Sequence, residues 1–410
     1  MTAEPLGSSP LRVLHVSEVG WGGVVSLLRH FVAEQRAAGH EVHLLAPSAM
    51  PALDGATQHT WTLDRRRPAS FPRAVLELRR LVAQLRPDVV HLHSFFAGVV
   101  GRLPVVDAVG GVPVVYQPHS WSTDLFPFAA ASRVVSVLER SGARRTDVLV
   151  GNALDEIAAG RDLGVDLPSH ELGVAVDAAH YRPPTDAERA SARQTLGLEE
   201  ERVLLVLGRV TRQKGQDLIV RAWEERPVPG ATLVLVGPGN TEPLAALAPR
   251  EWGKSVRAVG EPTAVVPWLW AAEVMVMPSR YEGTAVVVAE ALSTGLPVVS
   301  TAVNGARATI EDPGTLGAKD LPPAGAVVPL GDMAVLLEEA ERRLTDPVLR
   351  RRESDAALER AATLFVPALV AQRLEAAYRH AIAIHGGSHD PSPRHRSSAG
   401  SEHAAEEPHS

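Results

Sequence analysis

With 410 residues, 45% of them hydrophobic and 22% charged, the chain has the composition of a globular protein long enough for two cores. A net charge of −7 argues against nucleic acid as a partner, and the lack of cysteine excludes disulfides, thiol nucleophiles and cysteine metal sites. Residues 1–10 lack the basic start and apolar core of a signal peptide, no apolar run reaches the roughly 18 residues of a membrane span, and cytoplasm is the expected location.

Residues 11–16 read as a buried strand running into Gly20-Trp21-Gly22-Gly23 and a helix over 24–38 that Gly39 stops. The next strand follows at 42–46, so the chain opens as a parallel α/β unit. The glycines let backbone come close to a ligand, although the loop lacks the full Gly-x-Gly-x-x-Gly dinucleotide spacing. An amphipathic helix over 71–85 carries Arg73, Arg79 and Arg80 and is preceded by Arg65-Arg66-Arg67. Its basic face suits peripheral contact with an anionic inner-membrane surface, but the interleaved acids favour a solvated arginine face.

Strands follow at 89–93 and 112–116; the second ends in Gln117-Pro118-His119-Ser120-Trp121, placing His119 at a carboxyl end, where open α/β sheets gather functional groups. A structural histidine and a functional one are equally compatible with that position. After a strand at 146–150 and a helix at 153–161, Tyr181-Arg182-Pro183-Pro184 reads as a linker.

A second α/β series starts with the strand 203–207, followed by Gly208-Arg209 and then Lys214-Gly215 before a helix from 216. A guanidinium and an ammonium five residues apart between strand and helix suit a diphosphate. Lysine is rare in this chain, which has only Lys214, Lys254 and Lys319, so Lys214 stands out from generic surface charge. Strands at 232–236, 256–259, 274–277, 297–301 and 326–329 alternate with helices at 265–272, 333–344 and 355–364. A long helix over 365–384 precedes a polar stretch, 385–410, that reads as a disordered tail.

The most informative stretch is 278–297. Glu282 and Glu290 lie eight residues apart, the first after a short apolar strand and the second within a run whose Val286, Val287 and Val288 are poor helix formers and read as strand by local pattern alone. Carboxylates beside a phosphate site repel it unless they accept hydrogen bonds from neutral sugar or ribose hydroxyls.

Taken in order, these features resemble the family 4 retaining glycosyltransferases, over about residues 11–384. The most specific element is the Glu-x7-Glu pair Glu282/Glu290 within Pro278-Ser279-Arg280-Tyr281-Glu282-Gly283; Gly208-Arg209, Lys214-Gly215, Gly22-Gly23 and His119 match the remaining ones. The resemblance implies the α/β GT-B fold: two facing Rossmann-like domains, an acceptor-side domain over 1–183 and a nucleotide-sugar domain over 184–364. It also implies an interdomain cleft, with helix 365–384 crossing back to the first domain.

It implies that Arg209 and Lys214 hold the donor diphosphate, Glu282 the transferred sugar, Glu290 the ribose, and His119 the sugar from the opposite domain. Gly22 and Gly23 would close over the diphosphate, and Gly283, Thr284 and Ala285 would line the donor. Thr284-Ala285 replaces the family's usual Phe-Gly and so bears on sugar preference. The valine run becomes a buried helix on the same ground.

The implied reaction moves a sugar from a UDP- or GDP-linked donor to a hydroxyl acceptor in a glycan, glycolipid or natural product. It proceeds with retention and by front-side attack, without a separate cofactor. No metal is expected, since no Asp-x-Asp occurs and Arg209 with Lys214 can supply positive charge. A nucleotide-sugar epimerase and a non-catalytic nucleotide-sugar sensor are the alternatives. An NAD dehydrogenase is disfavoured because Gly237-Pro238-Gly239 lacks the third glycine and position 257 is Arg where an acid would be wanted.

Overall fold

The computed structural model describes residues 9–103, 107–125, 129–312, 314, 316 and 320–387. Short β-branched and leucine-rich runs, buried on both faces in the central strands, form two all-parallel sheets covered by helices, while the edge strands are partly exposed. The first contains β1 (Arg12–Ser17), β2 (Glu41–Ala46), β3 (Thr57–Thr60), β4 (Val89–His93), β5 (Val114–Gln117), β6 (Val148–Gly151) and β7 (Ser169–Glu171), in the order β3-β2-β1-β4-β5-β6-β7. The second contains β8 (Arg202–Leu207), β9 (Ala231–Val236), β10 (Val256–Gly260), β11 (Val274–Met277), β12 (Val298–Thr301) and β13 (Gly325–Val328), in the order β10-β9-β8-β11-β12-β13.

Each sheet reverses its strand order once, between β1 and β4 and between β8 and β11. Such a reversal splays the two following loops apart and opens a crevice at the strands' carboxyl ends. The loops carrying Gly22 and Gly23, and those carrying Arg209, Lys214 and Glu282, all leave strands beside these two points. The valine run adopts the helical alternative, as helix Val286–Ser293. Its low intrinsic propensity is overridden by burial: Val286, Val288, Ala289, Ala291 and Leu292 sit in an apolar cluster shared by both domains.

The C-terminal helix, Pro367–Gly387, crosses back and packs on helix Gly23–Ala37 and on β5, β6 and β7. Val370, Leu374, Ala377, Tyr378 and Ala381 supply its buried stripe at helical spacing. It extends past the expected end at 384. His385, assigned by sequence to the tail, hydrogen bonds to Asp147 at 3.0 Å and to the Gly111 carbonyl at 2.7 Å. The rest of that segment, 388–410, lies outside the described residues.

The helix expected over 355–364 begins earlier, at Pro347, because Asp346 accepts the N–H groups of Val348 and Leu349 and Pro347 needs no N–H partner in the first turn. The irregular region after 305 contains helix Ala306–Ile310, and the buried Arg360 guanidinium donates to the carbonyls of Thr309, Leu321 and Pro322. Lys319 lies outside the described residues. Among the described residues no helix is long and apolar enough to cross a membrane. In the arginine-rich segment Arg73 pairs with Glu77 at 2.9 Å, and Arg65 lies 5.3 Å from the Trp21 ring centroid.

Candidate active site in the interdomain cleft

A cleft of about 550 Å³ lies between the domains, and all the residues singled out from the sequence line it: Gly22, Gly23 and His119 from the first domain, and Arg209, Lys214, Glu282, Gly283, Thr284, Ala285 and Glu290 from the second.

The loop after β8 is shaped by Gly215, whose φ is 68° and whose Cβ, if present, would fall 2.0 Å from the Pro278 carbonyl oxygen. Only glycine lets this loop lie against the one after β11. Buried Gln216 completes the fit, its side-chain amide donating to the carbonyls of Arg209 at 2.9 Å and Gly208 at 3.3 Å. Arg280 clamps the two loops together through a two-pronged ion pair with Asp217, both contacts at 2.7 Å.

Lys214 Nζ is 2.8 Å from Glu282 Oε1. Ser279 Oγ donates to the same oxygen at 2.8 Å, and Gln213 Nε2 donates to Glu282 Oε2 at 3.2 Å. The sequence reading treats the cations as phosphate ligands and leaves the carboxylates free. In the folded protein the lysine and Glu282 are partners, because two opposite charges screened from water neutralise each other. Arg209 is exposed in the cleft and has no side-chain partner among the described residues. Burial raises the Glu290 carboxyl above its ordinary range, opposed by the Tyr181 hydroxyl that hydrogen bonds to it and by the charge of Lys214. Tyr181 belongs to the segment read as a linker, so that linker contributes to the site.

From the other side, His119 follows β5 with φ 58°, a left-handed conformation that a bulky side chain adopts at a cost. Its Nε2 lies 3.0 Å from His93 Nδ1, and burial pushes its pKa down to about 3, so the ring is neutral. A Cβ on Gly283 would lie 1.9 Å from the His119 carbonyl oxygen, so the domains touch backbone to backbone between the two carboxylates of the Glu-x7-Glu element. The contact is tied by Asp155, whose carboxylate accepts the Gly305 N–H at 2.7 and 2.9 Å. A Cβ on Gly23 would sit 3.2 Å from Val286 Cγ2, bringing the glycine loop onto the valine helix.

Gln213, Gln216, Ser279, Asp155 and Tyr181 are site residues that sequence reasoning missed. Ser279 lies inside the Glu-x7-Glu element, and Gln213 and Gln216 flank Lys214-Gly215, so proximity to a motif was an available signal. Nothing local marks Asp155 or Tyr181.

The model of "Glycosyltransferase Family 4" matches residues 21–167, and that of "Glycosyl transferases group 1" matches 201–346. A D-inositol 3-phosphate glycosyltransferase of Catenulispora acidiphila is 30% identical over 318 residues, 72% of each chain. Alpha-D-kanosaminyltransferase of Streptomyces kanamyceticus is 27% identical over 306 residues, 71% of this chain and 76% of that one. Among solved structures, Anabaena HepE in complex with UDP and glucose has a TM-score of 0.72 at 18% identity, covering 89% of this chain and 98% of that one. A glycine loop, a basic loop and a two-carboxylate element facing one cleft, between two parallel sheets matched by both family models, lead to one conclusion: the chain is a glycosyltransferase of family 4 with the GT-B fold.

Proposed function

We propose that the protein transfers a hexose-type sugar from a nucleoside diphosphate sugar to a hydroxyl acceptor, with retention of configuration. The observation that carries this reading is the convergence on one cleft of Arg209, which has no ion-pair partner among the described residues, the Lys214–Glu282 pair and Glu290. The donor diphosphate sits against Arg209 and Lys214, whose charges stabilise the leaving nucleoside diphosphate as negative charge builds on it. No separate metal is needed for that role.

Glu282, with Oε1 held by Ser279 and Lys214 and Oε2 by Gln213, directs its remaining acceptor capacity to hydroxyls of the transferred sugar. Glu290 lies one helical turn further into the cleft wall and takes the ribose hydroxyls. His119 faces the sugar from the first domain, and Thr284 brings to the donor pocket a buried hydroxyl that has no hydrogen-bond partner among the described residues. HepE, solved with UDP and glucose, supports a nucleotide-sugar donor by likeness of fold.

The acceptor attacks from the first-domain side, where Trp21 stands 42% exposed at the cleft wall. The decisive experiment measures nucleotide release from a panel of UDP-, GDP- and ADP-sugars with and without sugar, lipid and aglycone acceptors. Acceptor-dependent release from one donor class is expected. No release from any donor overturns the reading.

A further inference from the structure

His119 is the end of a buried chain of side chains. Its Nε2 lies 3.0 Å from His93 Nδ1, His93 Nε2 lies 2.9 Å from His15 Nδ1, and His15 Nε2 lies 2.9 Å from Gln35 Oε1. The Gln35 amide nitrogen donates to the Tyr378 hydroxyl at 3.2 Å, and that hydroxyl lies 2.9 Å from His91 Nδ1. His15, His91 and His93 are 0% exposed, and Tyr378 comes from the returning C-terminal helix. The rings also stack in sequence, His15 on His93 and His93 on His119.

A neutral imidazole has one N–H and one lone pair, so a linear chain of them has a single direction once one end is set. Burial holds all four histidines neutral, lowering His15 to about 4 and His119 to about 3 and pushing His91 and His93 well below the ordinary imidazole range. Gln35 sets the end: its carbonyl oxygen can only accept, so His15 carries its proton on Nε2. His15 Nδ1 then accepts from His93 Nε2, and His93 Nδ1 accepts from His119 Nε2. Tyr378, accepting from Gln35, donates to His91 Nδ1, which puts the His91 proton on Nε2. Every imidazole in the network thereby takes the Nε2–H form that histidine favours in water.

His15, His91 and His93 also bring one nitrogen each within 4.8 Å of the others. A divalent cation there would be buried without a carboxylate, and the nitrogens of His15 and His93 already have hydrogen-bond partners.

We infer that His93, His15 and Gln35 are positioning residues that hold His119 in the Nε2–H tautomer, so that His119 meets the donor sugar with a bare Nδ1 and accepts a hydrogen bond from one of its hydroxyls. This rests on the proposed placement of a sugar donor in the cleft. His119 Nδ1 has no partner among the described residues, and His119 lines the cleft. The Nδ1–H tautomer would donate to that hydroxyl instead of accepting from it. Through Tyr378 the same relay ties the returning helix to the site.

Long-range proton–nitrogen correlation spectra of the full chain, labelled at histidine and with His119 assigned by loss of its signals in His119→Gln, read the tautomer directly. His119 is expected to show a protonated Nε2 and a bare Nδ1. Gln35→Met, which removes both hydrogen-bonding ends, should give a mixed tautomer at His119, with kcat lowered about tenfold and donor KM within about twofold. Gln35→Glu, which keeps an acceptor for His15, should restore both. Tyr378→Phe, the second variant, removes the hydroxyl that accepts from the Gln35 amide nitrogen, frees that amide to turn over, and should also mix the tautomers.

A wild-type His119 protonated on Nδ1 overturns the inference, as does a folded Gln35→Met protein with unchanged tautomer and kcat. If both variants unfold, the wild-type spectrum decides alone. Absence of nucleotide release from every donor would count against the transferase reading and leave the tautomer measurement intact.

Discussion

Lys214 Nζ lies 2.8 Å from Glu282 Oε1, joining the loop after β8 to the loop after β11 across the floor of the cleft. A nucleoside diphosphate that approaches Lys214 must therefore share the ammonium with a carboxylate already bonded to it. Glu282→Gln keeps the shape and the Ser279 contact but removes the competing charge. Free UDP or GDP should then bind about two- to tenfold more tightly, while transfer falls about 100-fold because the sugar hydroxyls lose a charged acceptor. Calorimetric titration of the nucleotide alongside steady-state transfer separates the two effects; weaker nucleotide binding would show that Glu282 does not compete for the lysine.

Lys214→Ala should act in the opposite sense. Loss of one charge-assisted contact to the diphosphate should raise the Kd for nucleoside diphosphate about tenfold or more. Arg209→Ala should give a similar loss and, because Arg209 has no ion-pair partner among the described residues, little change in melting temperature. Unchanged nucleotide affinity in both variants would remove the diphosphate from this loop.

Gly283→Ala should separate the domains. The added Cβ would lie 1.9 Å from the His119 carbonyl oxygen, a backbone atom that cannot rotate away. Transfer should fall more than about tenfold while each domain's own core remains intact. Small-angle scattering should report a more open particle than wild type. A variant with wild-type scattering and activity would show that the closed contact is dispensable.

The stability contributed by two buried carboxyl groups should decline as pH rises from 5 to 8, opposite in sign to the contribution of the four buried histidines, which stay neutral in the fold and take up protons on unfolding. Burial lifts the carboxyl groups of Glu156 and Glu18 to about 7, above the ordinary value they regain on unfolding. Over that interval the native state holds protons that the unfolded chain has released, so raising pH favours unfolding. Glu156 Oε1 has no hydrogen-bond partner among the described residues, which leaves its charged form poorly compensated. Glu156→Gln should therefore raise the melting temperature at pH 8 by a few degrees, on the order of 1 kcal/mol, and leave it nearly unchanged at pH 5. An equal shift at both pH values would show that titration of Glu156 is not the cause.

Transfer should persist after exhaustive treatment with a chelator. Arg209 and Lys214 face the cleft together and supply two positive charges to the diphosphate. An activity abolished by the chelator and restored by magnesium or manganese would assign that charge to a metal instead.

Much of this molecule is legible along the chain. Strands such as Arg202–Leu207 and Val274–Met277 announce themselves as short apolar runs before glycine or proline, because a parallel strand must be buried on both faces. The order of these units, with Arg209, Lys214, Glu282 and His119 each just past a strand, carried the resemblance that implied the fold, and the residues it singled out line the cleft, whereas Gln213 and Tyr181 beside them were not legible as site residues. Helix Val286–Ser293 reads locally as a strand because three successive valines are poor helix formers; the family resemblance marked it as a helix, and the apolar surroundings from both domains hold it as one.

The pairing of Lys214 with Glu282, 68 positions apart, depends on the adjacency of β8 and β11, which no local pattern encodes. The same holds for Asp155 at the Gly305 N–H and for the relay from Tyr378 through Gln35, His15 and His93 to His119, whose members come from separate strands, helices and loops. Local chemistry and spacing thus determined which groups exist and at which strand ends they emerge. The packing of two sheets and the returning helix decided which groups touch, because contact at hydrogen-bond distance is a property of three-dimensional neighbours rather than of neighbours in sequence.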